Sequence, residues 1–156
     1  MIFAPMHTLK KSLGQHFLKD ENVVEKIIDA LSQYPFKNLL EAGPGGGALT
    51  KHLIQIPNIH FKAVELDQEK VDYLLKKFPL FKNDLIHQSF LDMERPFDEP
   101  FTVIGNFPYN ISSQILFRML EWKEDLVYML GMFQKEVAQR VAAELGSNVY
   151  GVLSVL

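Results

Sequence analysis

Apolar residues recur along this chain in two patterns, and each pattern predicts a type of secondary structure. A spacing of three and four residues predicts an amphipathic helix over residues 20–33, with Asp20 as its N-cap. Further helices are predicted at residues 48–54, 68–78, 111–121 and 134–145. Short apolar runs predict strands at residues 38–42, 59–66, 85–88, 101–105 and 126–132. This alternation is typical of an α/β fold with a parallel, doubly wound sheet.

The composition is that of one globular domain without metal or disulfide chemistry. The chain has 156 residues, of which 47% are hydrophobic and 22% charged, and it has no cysteine. Chains of this length bury about 70% of their extended surface, which is enough for a core. The lack of cysteine excludes disulfides and thiolate ligands and fits a reducing, cytoplasmic location. The histidines are scattered without close pairs, so we predict no metal.

Charge and hydropathy bear on the partners of the protein. Sixteen Lys and Arg against nineteen Asp and Glu give a net charge of −3, which argues against nucleic acid. A basic cluster of Lys10, Lys11 and Lys19 is either a phosphate contact or a solvated face. No apolar run is long enough to span a membrane and no signal peptide is recognisable, so we expect no membrane association. We also expect a monomer.

A glycine loop follows the first predicted strand. Gly43, Gly45 and Ala48 fit the pattern G-x-G-x-x-A, in which glycines let the backbone approach a ligand. Glu65 ends the next strand, at about the ~20-residue offset of an acid that binds a ribose diol. The alternatives are a glycine turn required only by packing and a solvated charge at Glu65. We favour a cofactor that contains a nucleoside.

Two such cofactors remain open, a dinucleotide and S-adenosylmethionine. A pyrophosphate needs free amide donors at the helix N-terminus, and Pro44 removes one of them. Glu41 adds a negative charge beside the site, which suits the ammonium and sulfonium groups of S-adenosylmethionine. The loop therefore favours S-adenosylmethionine.

The sequence Asn106-Phe107-Pro108-Tyr109 follows the fourth predicted strand, at the sheet edge where open α/β folds place their chemistry. The Asn106 side-chain oxygen and a proline-fixed backbone carbonyl at Pro108 can accept both hydrogens of an adenine amine. They would turn the nitrogen lone pair toward a methyl donor. Tyr109 offers a face on which a flipped base stacks. The alternative is a proline turn capped by Asn106, with Tyr109 packed on the core.

The motifs occur in the order GQHFL (14–18), EAGPG (41–45), VELD (64–67), GNFPYNIS (105–112), QKEVA (134–138) and YGVLSV (150–155). In these motifs the chain closely resembles the KsgA-type small-subunit ribosomal RNA adenine dimethyltransferases and, more distantly, the Erm-type macrolide-resistance methylases. The likeness covers residues 13–156. It implies a Rossmann-like, S-adenosylmethionine-dependent methyltransferase fold. It also implies dimethylation of two adjacent adenosines in a hairpin loop near the 3′ end of small-subunit ribosomal RNA, in the immature subunit.

The resemblance also implies roles for single residues. Residues 1–19 are expected to form an arm over the cofactor, and residues 20–156 the methyltransferase domain. The implied cofactor contacts are Gln15, His16 and Leu18 on the methionine half, Gly43 and Gly45 in the loop, Glu65 on the ribose, Ser89 on the adenine, and Asn106 between cofactor and target.

The chain departs from the family pattern in two places. Ser89 stands where the family usually has an aspartate that accepts a hydrogen bond from the adenine amine, so we expect weaker cofactor binding. Asp92 is a less favoured substitute. The sequence also lacks the last strands and the basic helical domain of the family, so we expect an incomplete sheet.

Three other functions are weighed against the methyltransferase. A non-catalytic assembly or transcription factor that binds nucleic acid would explain why Ser89 stands where the family has an aspartate. A DNA adenine methylase usually has Asn or Asp followed by two prolines, unlike residues 106–108. A nicotinamide dehydrogenase would need an acid or base for hydride transfer, which we do not find.

Overall fold

A computed structural model describes residues 20–107, 112–133, 139–140, 143 and 153–154. The helices are α1 (Glu21–Ser32), α2 (Thr50–Leu53), α3 (Gln68–Lys77) and α4 (Ser112–Glu121), with a 3₁₀ turn at Pro79–Phe81. The strands are β1 (Asn38–Ala42), β2 (His60–Glu65), β3 (Leu85–His87), β4 (Phe101–Asn106), β5 (Leu126–Phe133) and β6 (Leu153–Ser154). Across these residues no helix has the length and apolar character needed to cross a bilayer.

The strands form one sheet in the order β3-β2-β1-β4-β5-β6, and every pair is parallel. The chain runs outward from β1 through β2 to β3, and then crosses to β4 on the other side of β1. This reversal opens a crevice at the carboxyl ends of β1 and β4, where doubly wound folds bind ligands. The predicted α/β fold with a parallel sheet is therefore confirmed.

Apolar side chains of the central strands alternate between two cores, because successive strand residues point to opposite faces. Leu40 of β1 packs with Ile115 and Met119 of α4 in one core. Leu39 packs with Val24 of α1 and with Leu53 at the end of α2 in the other core. Helices thus cover both faces, as a doubly wound fold requires.

The predicted first helix is confirmed together with its cap. The backbone N–H of Asn22 donates to Asp20 Oδ1 at 3.0 Å, which satisfies one of the unpaired amides at the helix start. The buried residues of α1 are Val24, Ile27 and Leu31, on the predicted apolar face. Each predicted strand end either agrees with the observed one or differs from it by one residue, as hydrogen-bond assignments commonly do.

One predicted helix is shorter in the structure, and another lies largely outside the described residues. The second helix was predicted over residues 48–54 but covers only Thr50–Leu53, because the turns that follow the glycines continue to residue 49. In the predicted helix 134–145 the structure describes only residues 139, 140 and 143, which are helical. The rest of that prediction lies outside the described residues.

Candidate cofactor site and catalytic corner

The predicted site residues that the structure describes lie along the carboxyl edge of the sheet. Ala42 of β1 is in register with Val64 of β2 on one side and with Gly105 of β4 on the other. Glu65 is in register with His87 at the end of β3. Neighbouring strands lie about 4.8 Å apart, so the ends of four strands form one short row.

The glycine loop, residues 43–49, has a backbone that only glycine adopts easily. Gly43, Gly45 and Gly47 have φ of 68°, 55° and 83°, in the left-handed region. The Gly43 N–H donates to Val64 O at 2.9 Å, which fixes the loop to β2. No described atom lies within 4 Å of where a Cβ would stand at Gly43, Gly45 or Gly46. The outer side of the loop is therefore open to a ligand.

Glu65 is joined to the glycine loop by a hydrogen bond across twenty residues. Its Oε2 accepts from the Gly45 N–H at 3.0 Å, and its Oε1 accepts from the N–H groups of Leu66 and Asp67, both at 3.1 Å. The residue is only 8% exposed, so the alternative of a solvated charge is wrong. A carboxylate has about four acceptor positions, which leaves one for a ligand hydroxyl.

Glu41 does not present a negative charge to the cofactor, and that part of the sequence argument is wrong. The side chain is 1% exposed, and the Thr50 hydroxyl lies 3.0 and 2.9 Å from its two carboxyl oxygens. The pKa of Glu41 is raised to about 8, because burial and, to a smaller extent, the charge of Glu65 raise it more than the Thr50 hydrogen bond lowers it. The carboxyl group is therefore mostly neutral at pH 7.

Asn106 ends β4 and is partly exposed beside the crevice. Gly105, which precedes it, lets β4 approach β1 closely, since a Cβ there would lie 2.6 Å from the carbonyl oxygen of Ala42. The next residue, Phe107, is buried, and the centroid of its ring lies 6.0 Å from the ring centroid of Phe90. The close packing of Gly105 and Phe107, the neighbours of Asn106 in the chain, therefore fixes the position of the Asn106 backbone.

Ser89 lies two residues after the end of β3, in a turn that uses its own hydroxyl. The Leu91 N–H donates to Ser89 Oγ at 3.2 Å, and the Asp92 and Met93 N–H groups donate to its carbonyl oxygen at 3.1 Å. The hydroxyl can still donate one hydrogen bond. Asp92 is exposed, in keeping with a surface carboxylate.

Other site residues were missed or cannot be placed. Leu66 was not singled out, although it is 65% exposed directly beside Glu65 and offers an apolar surface at the mouth of the site. An apolar residue directly after the acid that ends β2 was the available signal. The predicted residues that lie outside the described part are Gln15, His16, Leu18, Pro108 and Tyr109. Among the described residues no cluster of His, Asp or Glu could hold a metal.

The sheet order, the glycine loop and the acid that ends β2 place the chain in the class of Rossmann-like, S-adenosylmethionine-dependent methyltransferases. The 23S rRNA methyltransferase ErmE superposes with a TM-score of 0.65 at 29% identity, over 77% of this chain and 48% of that one. A dimethyladenosine transferase from Plasmodium falciparum superposes with a TM-score of 0.59 at 28% identity, over 76% and 43%.

Sequence comparison identifies the family of the chain within this class. The family model for ribosomal RNA adenine dimethylase matches residues 6–156, and the chain belongs to this family. The Ribosomal RNA small subunit methyltransferase A of Cytophaga hutchinsonii is 47% identical over 150 residues, which are 94% of this chain and 58% of that protein. The chain thus spans little more than half the length of this relative.

Proposed function

We propose that the protein of which this chain is part transfers methyl groups from S-adenosylmethionine to N6 of two adjacent adenosines in the 3′-terminal hairpin loop of small-subunit ribosomal RNA. The observation that carries the proposal is that Asn106, at the end of β4, and the Gly45–Glu65 pair lie at the same edge of the sheet. The relative from Cytophaga hutchinsonii bears the name of a small-subunit ribosomal RNA methyltransferase. We further propose that the protein acts in the cytoplasm as a monomer.

The described residues offer hydrogen-bond partners and open space that fit the cofactor. Glu65 has an acceptor position for a ribose hydroxyl, and the outer side of the glycine loop is free of described side-chain atoms. Leu66 provides an apolar surface for a purine ring, and Ser89 Oγ keeps one acceptor position for the adenine amine. When bound, S-adenosylmethionine supplies the methyl group.

Asn106 and the residues after it would prepare the adenine amine for attack. This nitrogen is a poor nucleophile because its lone pair is delocalised into the ring. The Asn106 side-chain oxygen and the Pro108 carbonyl each accept one amine hydrogen, which favours a tetrahedral nitrogen with a localised lone pair. Tyr109 would hold the flipped base by stacking and stabilise its developing positive charge.

Methyl transfer to small ribosomal subunits that lack the modification tests this function, with the intact gene product as enzyme. Mass spectrometry of the RNA should find two adjacent N6-dimethyladenosines. Asn106→Ala should reduce the rate at least about a hundredfold, as for loss of one polar group that acts on the transition state. Tyr109→Ala should be severe and Tyr109→Phe mild, because a phenyl ring still stacks.

The exposed Asn83 offers a matched control, since Asn83→Ala makes the same chemical change near the start of β3. Its rate should equal that of the parent. Equal rates for Asn106→Ala and Asn83→Ala would contradict the mechanism. Binding of the subunit without methyl transfer by the parent protein would favour the non-catalytic assembly factor.

A further inference from the structure

The glycine loop is closed at its base by a buried hydrogen bond between side chains. Glu41 is the last residue but one of β1, and Thr50, nine residues later, is the first residue of α2. Their exposures are 1% and 0%. The contact therefore joins the two ends of the loop in a place that water does not reach.

The geometry of the contact suits a neutral carboxyl group, which can both accept from and donate to the Thr50 hydroxyl. Thr50 Oγ1 lies 3.0 Å from one carboxyl oxygen of Glu41 and 2.9 Å from the other. A hydroxyl has a single hydrogen to donate, whereas a neutral carboxyl group can supply a second. Thr50 is also an uncharged donor, and a buried carboxylate with only such a partner is costly.

The groups that surround Glu41 support a neutral carboxyl. Its register partners are Ala63 on β2 and Ile104 on β4, which have no charge. Glu65, from the end of β2, is the charged group that acts on it, and its sign is the same. No cationic side chain within the described part of the chain is hydrogen-bonded to Glu41.

We propose that the Glu41–Thr50 hydrogen bond is a clasp that holds the glycine loop in its receptive shape and so sets the affinity for the methyl donor. The proposal rests on the proposed function. Residues 43–47 include four glycines, which have wide conformational freedom when nothing restrains them. The clasp makes Glu41 and Thr50 positioning residues that act through the loop backbone.

A second hydrogen bond restrains the glycine loop, and its limits explain why the clasp is needed. Gly45 is bonded to Glu65, which is also the acceptor proposed for the ribose. A ribose diol that takes two positions on this carboxylate competes with the Gly45 N–H, because three of about four positions are already used. The clasp at the base involves neither oxygen of Glu65. It can therefore hold the loop while the ligand binds.

Two substitutions at position 50 separate the hydroxyl from the size of the side chain. Thr50→Val keeps the shape and removes the hydrogen bond, and Thr50→Ser keeps the hydroxyl. Calorimetric titration with S-adenosylmethionine should show about tenfold weaker binding for Thr50→Val and at most about a twofold change for Thr50→Ser. Thr102→Val is a matched control, since Thr102 is equally buried but lies on β4 away from the loop.

Amide hydrogen exchange in the ligand-free protein gives a readout that does not depend on the donor. Thr50→Val should accelerate exchange at residues 45–49 about tenfold and leave β4 and β5 unchanged. Thr102→Val should not accelerate exchange in the loop. Unchanged loop exchange and unchanged donor affinity in a folded Thr50→Val protein would overturn the clasp. Absence of donor binding by the parent, with the exchange difference intact, would instead overturn the proposed function.

Glu41→Gln tests the protonation of the clasp and serves if Thr50→Val does not fold. A glutamine is neutral at every pH, so it should keep the loop protected from pH 6 to pH 9. The parent should lose loop protection as the pH rises above about 8, where the carboxyl group ionises. A parallel loss of protection in parent and Glu41→Gln would overturn the neutral clasp.

Discussion

Glu65 is the residue on which the candidate site depends most, because a single carboxylate serves several donors. It accepts from the backbone N–H groups of Gly45, Leu66 and Asp67 and so joins the glycine loop to the end of β2. Hydrogen bonds to a charged group contribute about 1.5–3 kcal/mol each. The same charge makes this residue a strong acceptor for a ribose hydroxyl.

Glu65→Gln should therefore weaken donor binding by about tenfold or more. The glutamine removes the charge and turns an N–H₂ group toward backbone amides, where an acceptor is needed. Titration calorimetry with S-adenosylmethionine measures the effect, and Glu94→Gln, at an exposed position, is the control. Equal affinities for the two variants would show that Glu65 does not hold the ribose.

Gly105→Ala should destabilise the fold at the site. Its Cβ would lie 2.6 Å from the backbone oxygen of Ala42, so β4 has to move away from β1. Shifts of this kind cost about 1–3 kcal/mol, which urea unfolding would detect. Gly46→Ala, where φ is not positive and no described atom lies within 4 Å, should change the unfolding free energy by less than about 0.5 kcal/mol. Equal stabilities would contradict the close packing of β1 and β4.

Sequence reasoning at the residue scale succeeded where spacing determines proximity. The offset between the glycine loop and Glu65 predicted a pair that the structure joins by a hydrogen bond. The neutrality of Glu41 could not be predicted, because it depends on burial and on a hydroxyl nine residues away. A sequence contains the charge of an isolated side chain but not the dielectric environment that alters it.

At the scale of elements, α1 is attached to the sheet by a polar contact as well as by its apolar face. The Tyr128 hydroxyl on β5 lies 3.2 Å from the carbonyl oxygens of both Leu31 and Tyr34, at the end of α1. Burial raises the pKa of Tyr128 to about 12, so the hydroxyl remains a donor at all ordinary pH values. The hydroxyl thus adds a donor at the carboxyl end of α1, where backbone carbonyl groups have few donors of their own.

Tyr128→Phe should lower the unfolding free energy by about 1–2 kcal/mol, since it leaves these carbonyl oxygens without the donor. The loss should be the same at pH 6 and pH 9, because the hydroxyl does not titrate between them. Urea unfolding at both pH values measures it. A loss that grows toward pH 9 would mean that the hydroxyl ionises in the folded state.

Elements with a local signal were predicted best. The first helix has a cap and a regular apolar face, and both features are present in the structure. The second helix is shorter than predicted because the apolar residues that follow the glycines begin in turns. Leu49 is buried as its apolar character suggests, but it lies in a turn and not in the helix. Burial and helicity are separate properties, and an apolar pattern reports mainly burial.

At the scale of the whole molecule, net charge was a poor guide to the family. The value of −3 argued against nucleic acid, yet the chain belongs to the ribosomal RNA adenine dimethylase family. A net charge sums over all faces of a molecule and does not describe the face that meets a ligand. The order of motifs was the better guide, since it identified the family.

The pH dependence of folding should carry the signature of Glu41. Its pKa is about 8 in the folded protein against 4.5 when unfolded, so between these pH values the folded state holds a proton that the unfolded state has lost. The stability is therefore fully present below about pH 4.5, falls as the pH rises, and levels off above about pH 8. The slope can reach about 1.4 kcal/mol per pH unit.

Urea unfolding of the parent and of Glu41→Gln at pH 5, 6, 7 and 8 isolates this contribution. The parent should lose stability relative to Glu41→Gln at each step. The exposed Glu21 and Glu99 have lowered pKa values, which act in the opposite direction and only as the pH falls through about 4.5 and below. Parallel pH curves for the two proteins would show that Glu41 is not held neutral.

Amide NMR during titration with S-adenosylhomocysteine is the measurement that locates the ligand most directly. Resonances of Gly43, Gly45, Leu66 and Ser89 should shift, because these residues surround the carboxyl ends of β1, β2 and β3. An apolar groove of about 570 Å³ lies beyond the other end of β2 and includes Ile59 and Leu80. Its resonances should stay unchanged. Shifts confined to that groove, or no shifts in a folded sample, would contradict a methyl-donor site on the glycine loop.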